Sequence, residues 1–99
     1  MPDTAVQTKT RIEVQEPPMY KVIYVNDDTT SMQFVIESLV DIFNYNQPTA
    51  EKITTDIHHK GSAVVATLPY EMAEQKGIEV TVSARSNGYP LQIRIEAES

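Results

Sequence analysis

The chain has 99 residues, which leaves room for one compact domain and a short tail and excludes a large multi-layered enzyme. Its formal net charge of -6 repels a phosphate backbone and argues against a nucleic-acid partner. The absence of cysteine excludes disulfides, thiolate zinc sites and thiol nucleophiles. No apolar run approaches the roughly 20 residues that cross a bilayer, and the first residues lack a secretory pattern, so we expect a cytoplasmic protein with no membrane partner.

The first 18 residues are predicted to form a flexible amino-terminal extension, followed by a core domain at 19–99. The extension is polar and ends in Glu16-Pro17-Pro18, and proline disfavours both helix and strand. The next seven residues, Met19 to Val25, are rich in β-branched and aromatic side chains and have the length of a strand. They stop at the turn-forming cluster Asn26-Asp27-Asp28, which predicts that the first strand ends there.

A helix is predicted to begin near Ser31. The hydroxyl of Thr30 could cap it by accepting a hydrogen bond from the backbone N–H of Gln33. The apolar residues of the segment recur at the spacing that buries one helix face, and they are Met32, Val35, Ile36, Leu39 and Phe43. The helix is expected to end near residues 44–46.

The remaining segments complete an α+β pattern. They predict a second helix from Pro48 to about His58, a strand over 62–68, a long third helix from Pro69 to Asn87-Gly88, and an alternating strand over 91–96. Gly77 lowers the helix propensity in the middle of the third helix. The order β-α-α-β-α-β predicts a three-stranded, mainly antiparallel sheet with three helices packed on one face.

Asn26-Asp27-Asp28 is the motif best placed to bind a ligand, because it lies between a strand end and a helix start. Asn and Asp are also ordinary turn formers, so the motif alone does not require a ligand. Together with a histidine, its amide and carboxylate oxygens could accept hydrogen bonds from an ammonium group. The two histidines, His58 and His59, are adjacent and are expected on different sides of a helix end. The spacing matches no metal or hydrolase motif, so neither a metal site nor an enzyme is predicted.

The segment from Met19 to Val35 resembles the signature of the ClpS-type adaptors of the Clp protease. In that family a Val-Asn-Asp-Asp stretch precedes Thr-Pro-Met-Glu-Phe-Val at a helix start, and this sequence has Val25-Asn26-Asp27-Asp28 followed by Thr30-Ser31-Met32-Gln33-Phe34-Val35. The similarity continues at residues 57–61, 71–76 and 90–91. It implies an adaptor without a cofactor or catalytic step, with a ClpS-like core at 19–99. Such an adaptor binds N-degron proteins that begin with Leu, Phe, Tyr or Trp and hands them to a Clp AAA+ unfoldase.

The resemblance also implies roles for individual residues. Asn26, Asp27 and His58 would contact the α-amino group of the substrate, and Thr30 would contact its backbone. An apolar pocket would receive the first side chain, and its lining residues would be Met32, Val35, Thr54, Ile57 and Leu91.

Glu71 and Lys76, on the third helix, would contact the N-terminal domain of the unfoldase. Three residues depart from the family pattern. Ser31 replaces a proline at the helix start, Thr54 replaces a methionine that often lines the pocket, and Gly77 replaces a larger apolar residue. We therefore expect a shifted pocket specificity and a looser third helix.

A second interpretation fits the same fold: a small α/β interaction domain that docks on one fixed partner without reading amino termini. Under it, replacing Asp27 by alanine would leave partner binding unchanged. We expect a monomer.

Overall fold

The computed structural model describes residues 16–99, which contain three strands and three helices in the predicted order β-α-α-β-α-β. The strands are β1 (Met19–Val25), β2 (Ser62–Pro69) and β3 (Gln92–Ala97). The helices are α1 (Met32–Asp41), α2 (Gln47–Lys60) and α3 (Tyr70–Ser86). The predicted flexibility of the extension concerns residues that lie mostly outside this described range.

β1 is the central strand of the sheet and pairs antiparallel with both of its neighbours, in the order β2-β1-β3. At the carboxyl end of β1, Val25 is opposite Ser62 on one side and Gln92 on the other. The end of β1 therefore lies beside the starts of β2 and β3. The predicted α+β fold with an antiparallel sheet is confirmed.

The hydrophobic core is formed by one face of the sheet and the three helices. Its largest fully buried side chains include Tyr24, Leu39 and Leu91. The hydroxyl of Ser38 donates to the carbonyl of Val35 over 2.8 Å, so the Tyr24 hydroxyl is left to donate to Ser38 Oγ over 2.7 Å. Burial raises the pKa of Tyr24 well above its usual range. This core polar pair is satisfied and stays uncharged.

α1 begins close to the predicted position, but its N-cap differs from the prediction. Ser31, not Thr30, is the N-cap, and its Oγ accepts a hydrogen bond from the backbone N–H of Phe34 over 3.1 Å. The Thr30 hydroxyl instead donates to Asp27 Oδ2 over 2.8 Å. Ser31, one of the residues that depart from the pattern of the resembled family, thus supplies the cap itself.

The ends of the first two helices also differ from the prediction. α1 ends at Asp41, because Asn44 adopts a left-handed conformation with φ 61° and the N–H of Tyr45 turns back to the carbonyl of Leu39. α2 extends two residues past His58, and as predicted it stops before Gly61, whose φ of 90° suits glycine. No helix within residues 16–99 is long and apolar enough to cross a membrane.

Gly77 lies on the buried face of α3, which continues unbroken through it. A Cβ at this position would be 3.4 Å from Cδ1 of Ile95 and 3.5 Å from Cγ2 of Ile93, ordinary van der Waals distances. A methyl group therefore fits here at ordinary contact distance from Ile93 and Ile95.

We expect Gly77→Ala to raise the free energy of unfolding by about 0.5–1 kcal/mol, because alanine has the higher helix propensity and restricts the unfolded chain. Urea denaturation measures this difference. Gly61→Ala is the matched control and should lower stability, because alanine is strained at φ 90°. A lower urea midpoint for Gly77→Ala would contradict the expectation.

Candidate functional site

The sequence-predicted site residues come from separate segments that meet where β1 ends and β2 and β3 begin. The backbone N–H of Asn26 donates to the carbonyl of Gly61 over 2.8 Å, and the N–H of Gly61 donates to the carbonyl of Ile57 over 2.9 Å. These bonds hold Asn26 beside the last turn of α2, which carries His58. Leu91 directly precedes Gln92, the residue opposite Val25 in the sheet. Sheet pairing therefore gathers the polar motif, the histidine turn and Leu91 at one end of the molecule.

The carboxylate of Asp27 closes the loop between β1 and α1. Its Oδ1 accepts from the backbone N–H groups of Thr29, over 2.8 Å, and Thr30, over 2.7 Å. Its Oδ2 accepts from the Thr30 hydroxyl. A carboxylate offers about four lone-pair positions, so one position on Oδ2 stays available to a ligand.

The environment of Asp27 keeps this carboxylate charged. Partial burial by itself would raise its pKa, but the hydrogen bonds from Thr30 and Thr29 and the positive charge of Arg85 outweigh burial, so the pKa lies below the usual value of 3.8. Asp27 is therefore negatively charged over the whole neutral range, as the recognition of an ammonium group requires.

The hydrogen bonding of Thr30 fixes what its side chain can offer a ligand. The single hydroxyl proton is used in the bond to Asp27. A hydroxyl oxygen can still accept a hydrogen bond when its proton is donated, so Thr30 can accept from an N–H group. It can donate to a ligand carbonyl only if its hydrogen bond to Asp27 is broken.

His58 is exposed in the last turn of α2, so a ligand can reach it. Its ring is in edge-to-face contact with that of His59, with ring centroids 5.6 Å apart. The two rings therefore touch at one edge, and whether they face different sides of the helix end stays a prediction. Adjacent helical positions are roughly 100° apart, which leaves two imidazoles at a helix end within reach of each other.

The predicted pocket residues differ in their exposure. Val35, Thr54, Ile57 and Leu91 are all buried, whereas Met32 is 45% exposed. The hydroxyl of Thr54 donates to the carbonyl of Ala50 over 2.8 Å, within its own helix. Thr54 therefore presents no unpaired polar group that would draw water into an apolar pocket.

Arg85 was not identified from the sequence. It lies in the last turn of α3, and its Nη1 donates to the carbonyls of Tyr89, over 2.9 Å, and Leu91, over 2.8 Å. An arginine in a last helical turn is common because it complements the helix dipole. Its position in the sequence therefore does not by itself indicate a contact with Leu91. The only sequence signal is its position six residues before Leu91.

The two predicted unfoldase contacts also differ in environment. Glu71 is exposed in the first turn of α3. Lys76 is half-buried, and its Nζ donates to the carbonyl of Ile42 over 2.9 Å, just past the end of α1. Glu71 is therefore free to meet a partner, whereas Lys76 already uses one of its three N–H groups inside the domain.

Across the described part of the chain, no three His, Asp or Glu side chains form a group that could hold a metal ion. The hydrogen-bond acceptors at the carboxyl end of β1 include the amide oxygen of Asn26, the free position on Asp27, the hydroxyl oxygen of Thr30 and a ring nitrogen of His58. Such a set suits a ligand rich in N–H donors.

Comparison with known proteins gives one consistent result. The model of the family described as ATP-dependent Clp protease adaptor protein ClpS matches residues 15–94. The chain is 45% identical over 85 residues to the ATP-dependent Clp protease adapter protein ClpS of Clostridium acetobutylicum, covering 86% of this chain and 84% of that protein. It is 42% identical over 98 residues to the ClpS of Campylobacter jejuni, covering 99% and 100%. The structure of Agrobacterium tumefaciens ClpS2 bound to L-phenylalaninamide matches with a TM-score of 0.81 at 35% identity, covering 84% of this chain and 100% of that chain.

Proposed function

This chain belongs to the ClpS family of ATP-dependent Clp protease adaptor proteins, and from that premise we propose that it binds the free α-amino group and first side chain of N-degron proteins and delivers them to a Clp AAA+ unfoldase. The observation that carries the proposal is the meeting of Asn26, Asp27 and the turn of His58 beside Leu91. The ClpS2 structure supports it, because L-phenylalaninamide carries a free α-amino group and a large apolar side chain.

The α-amino group of a substrate is an ammonium with three N–H donors. Asn26 supplies an amide oxygen, Asp27 supplies the free position on Oδ2 together with its charge, and His58 accepts through one ring nitrogen. Charge-assisted hydrogen bonds of this kind are the stronger ones, so the amino group sets the orientation of the peptide.

The substrate backbone then meets Thr30. Because the Thr30 proton is already committed to Asp27, the hydroxyl accepts the N–H that follows the first residue. L-phenylalaninamide offers an N–H at the same place, in its carboxamide, which fits this polarity.

The first side chain enters an apolar pocket between the helices and Leu91. We expect Met32, the exposed member of the predicted set, to lie at its rim, and the buried residues Val35, Thr54, Ile57 and Leu91 to form its walls. Burying a large apolar side chain contributes roughly 1.5–3 kcal/mol, which favours Leu, Phe, Tyr and Trp over small residues.

Delivery requires contact with the unfoldase. Glu71 and Lys76 contact its N-terminal domain, Glu71 through its exposed carboxylate and Lys76 through the N–H groups that Ile42 does not use. The relatives are adaptor proteins, which supports an action without a catalytic step. We further propose that the chain acts in the cytoplasm as a monomer.

Peptides that differ only in their first residue test this proposal. The protein should bind those that begin with Phe, Leu, Tyr or Trp, and it should bind the same peptide beginning with Gly or Glu at least tenfold more weakly. Fluorescence anisotropy with a label at the peptide's carboxyl end measures these affinities. Binding that is absent, or that does not depend on the first residue, would refute the proposal.

A further inference from the structure

We propose that Arg85 is a positioning residue that holds the segment carrying Leu91 and thereby determines which first side chains fit the pocket. The proposal rests on the function proposed above. It assigns a role in selectivity to a side chain at the end of α3, outside the motif that contacts the amino group.

One nitrogen of Arg85 makes both bonds that carry this argument. Nη1 bears two hydrogens, and it donates to the carbonyls of Tyr89 and Leu91, at 2.9 Å and 2.8 Å. These two carbonyls flank Pro90, which has no N–H to contribute to a turn. The guanidinium therefore ties both sides of the proline to the last turn of α3.

Bonds from Asn87 and Gly88 hold the start of this turn to α3, but they do not extend to Leu91. α3 ends at Ser86, and Gly88 then takes a φ of 78° to reverse the chain. The backbone N–H of Tyr89 donates to the carbonyl of Ala84 over 2.9 Å, and the Tyr89 ring packs against Phe34 at a centroid distance of 5.3 Å. These contacts hold Tyr89 in place. The hydrogen bond from Arg85 is the one in this turn that extends to Leu91.

The position of Leu91 matters for the pocket because its side chain is only 1% exposed and packs in the same cluster as Val35 and Ile57. Packed interiors respond to volume changes as small as one methylene group, so a shift of the Leu91 backbone changes the shape of the proposed pocket wall. Arg85 also acts on the polar side of the site, since its positive charge is among the groups that lower the pKa of Asp27.

The test compares Arg85→Met, Arg85→Lys and the control Arg94→Met, using the wild-type full chain as reference. Arg94 is an exposed arginine on β3 that pairs with Glu96, so its replacement removes the same charge away from the pocket. Affinities are measured for three peptides that differ only in their first residue, which is Phe, Leu or Val. The temperature is one at which circular dichroism shows all variants folded.

We expect Arg85→Met to reduce the preference for Phe over Val by about fivefold or more, a size typical of altered pocket fit. Arg85→Lys should restore at least half of the lost preference, because one ammonium nitrogen can make both bonds that Nη1 makes. Arg94→Met should leave the preference within about twofold of wild type.

An unchanged preference in Arg85→Met, or an equal loss of affinity for all three peptides, would overturn the inference, because general destabilisation weakens every peptide alike. Wild-type protein that binds none of the peptides would instead defeat the proposed function, and this inference with it. The two failures are distinguished by the wild-type measurement alone.

Discussion

Acetylating the α-amino group of a peptide that begins with Phe is expected to weaken its binding about 100-fold or more. Acetylation removes the positive charge and two of the three N–H donors. Hydrogen bonds to charged groups contribute roughly 1.5–3 kcal/mol each, and each 1.4 kcal/mol is about tenfold in affinity, so losing two such bonds accounts for this factor. Asp27, whose lowered pKa keeps it ionised, would then face a neutral amide.

Isothermal titration calorimetry of the free and acetylated peptides measures this loss. The matched control is the same peptide with an N-methylated amino terminus, which keeps the charge and two N–H donors and should lose less than the acetylated form. Equal affinities for the free and acetylated peptides would show that the protein does not read amino termini.

Replacing Asp27 is the second change with a large expected effect. Asp27→Ala should weaken peptide binding about 10- to 100-fold and lower the free energy of unfolding by about 1 kcal/mol, because it removes the acceptor of three loop hydrogen bonds as well as the charge. Asp27→Asn separates the two effects. Its Oδ1 can still accept from Thr29 and Thr30, so stability should change by less than about 0.5 kcal/mol while binding still falls about tenfold.

The control for Asp27 is Glu98→Gln, which removes one negative charge at the opposite end of the sheet, where the Glu98 backbone pairs with Met19. Peptide affinity should stay within about twofold of wild type, because charges this far apart are screened. Urea denaturation and anisotropy provide the two measurements. If Asp27→Ala binds peptides as well as wild type does, the fixed-partner interpretation gains support.

The pH dependence of binding follows from the same carboxylate. The folded-state pKa of Asp27 lies below 3.8, so the carboxylate is ionised at neutral pH. Its contribution to the free energy of unfolding is fully present above the unfolded-state pKa and is lost as pH falls through the lowered folded-state pKa. At the other limit, binding should weaken as the peptide amino group, whose ordinary pKa is about 7.7–8.0, loses its proton. Affinity measured between pH 7 and 9 should therefore fall as the pH rises. An affinity that is flat across that range would argue against recognition of an ammonium group.

Local patterns in the sequence determined the secondary structure of this protein. The alternation at 91–96, the β-branched segment at 19–25 and Gly61 each predicted an element or its end, because strand pairing, helix amphipathicity and left-handed turns depend on neighbouring residues. The order of elements was then sufficient for the antiparallel sheet. The similarity of the segment around Asn26-Asp27-Asp28 to one family was sufficient to predict the class of protein, which the family model confirms.

Only the tertiary structure decided which polar groups pair with one another. Thr30 and Ser31 are both good caps by residue type, and the loop closed by Asp27 takes the first hydroxyl and leaves the second for the helix. By sequence, Lys76 and Arg85 are typical of charged residues on the surface of a helix. Each nevertheless donates a hydrogen bond to a backbone carbonyl outside α3. The reason is physical: a hydrogen bond needs its partner within about 3 Å, and segments distant in sequence come that close only after the sheet and helices have packed.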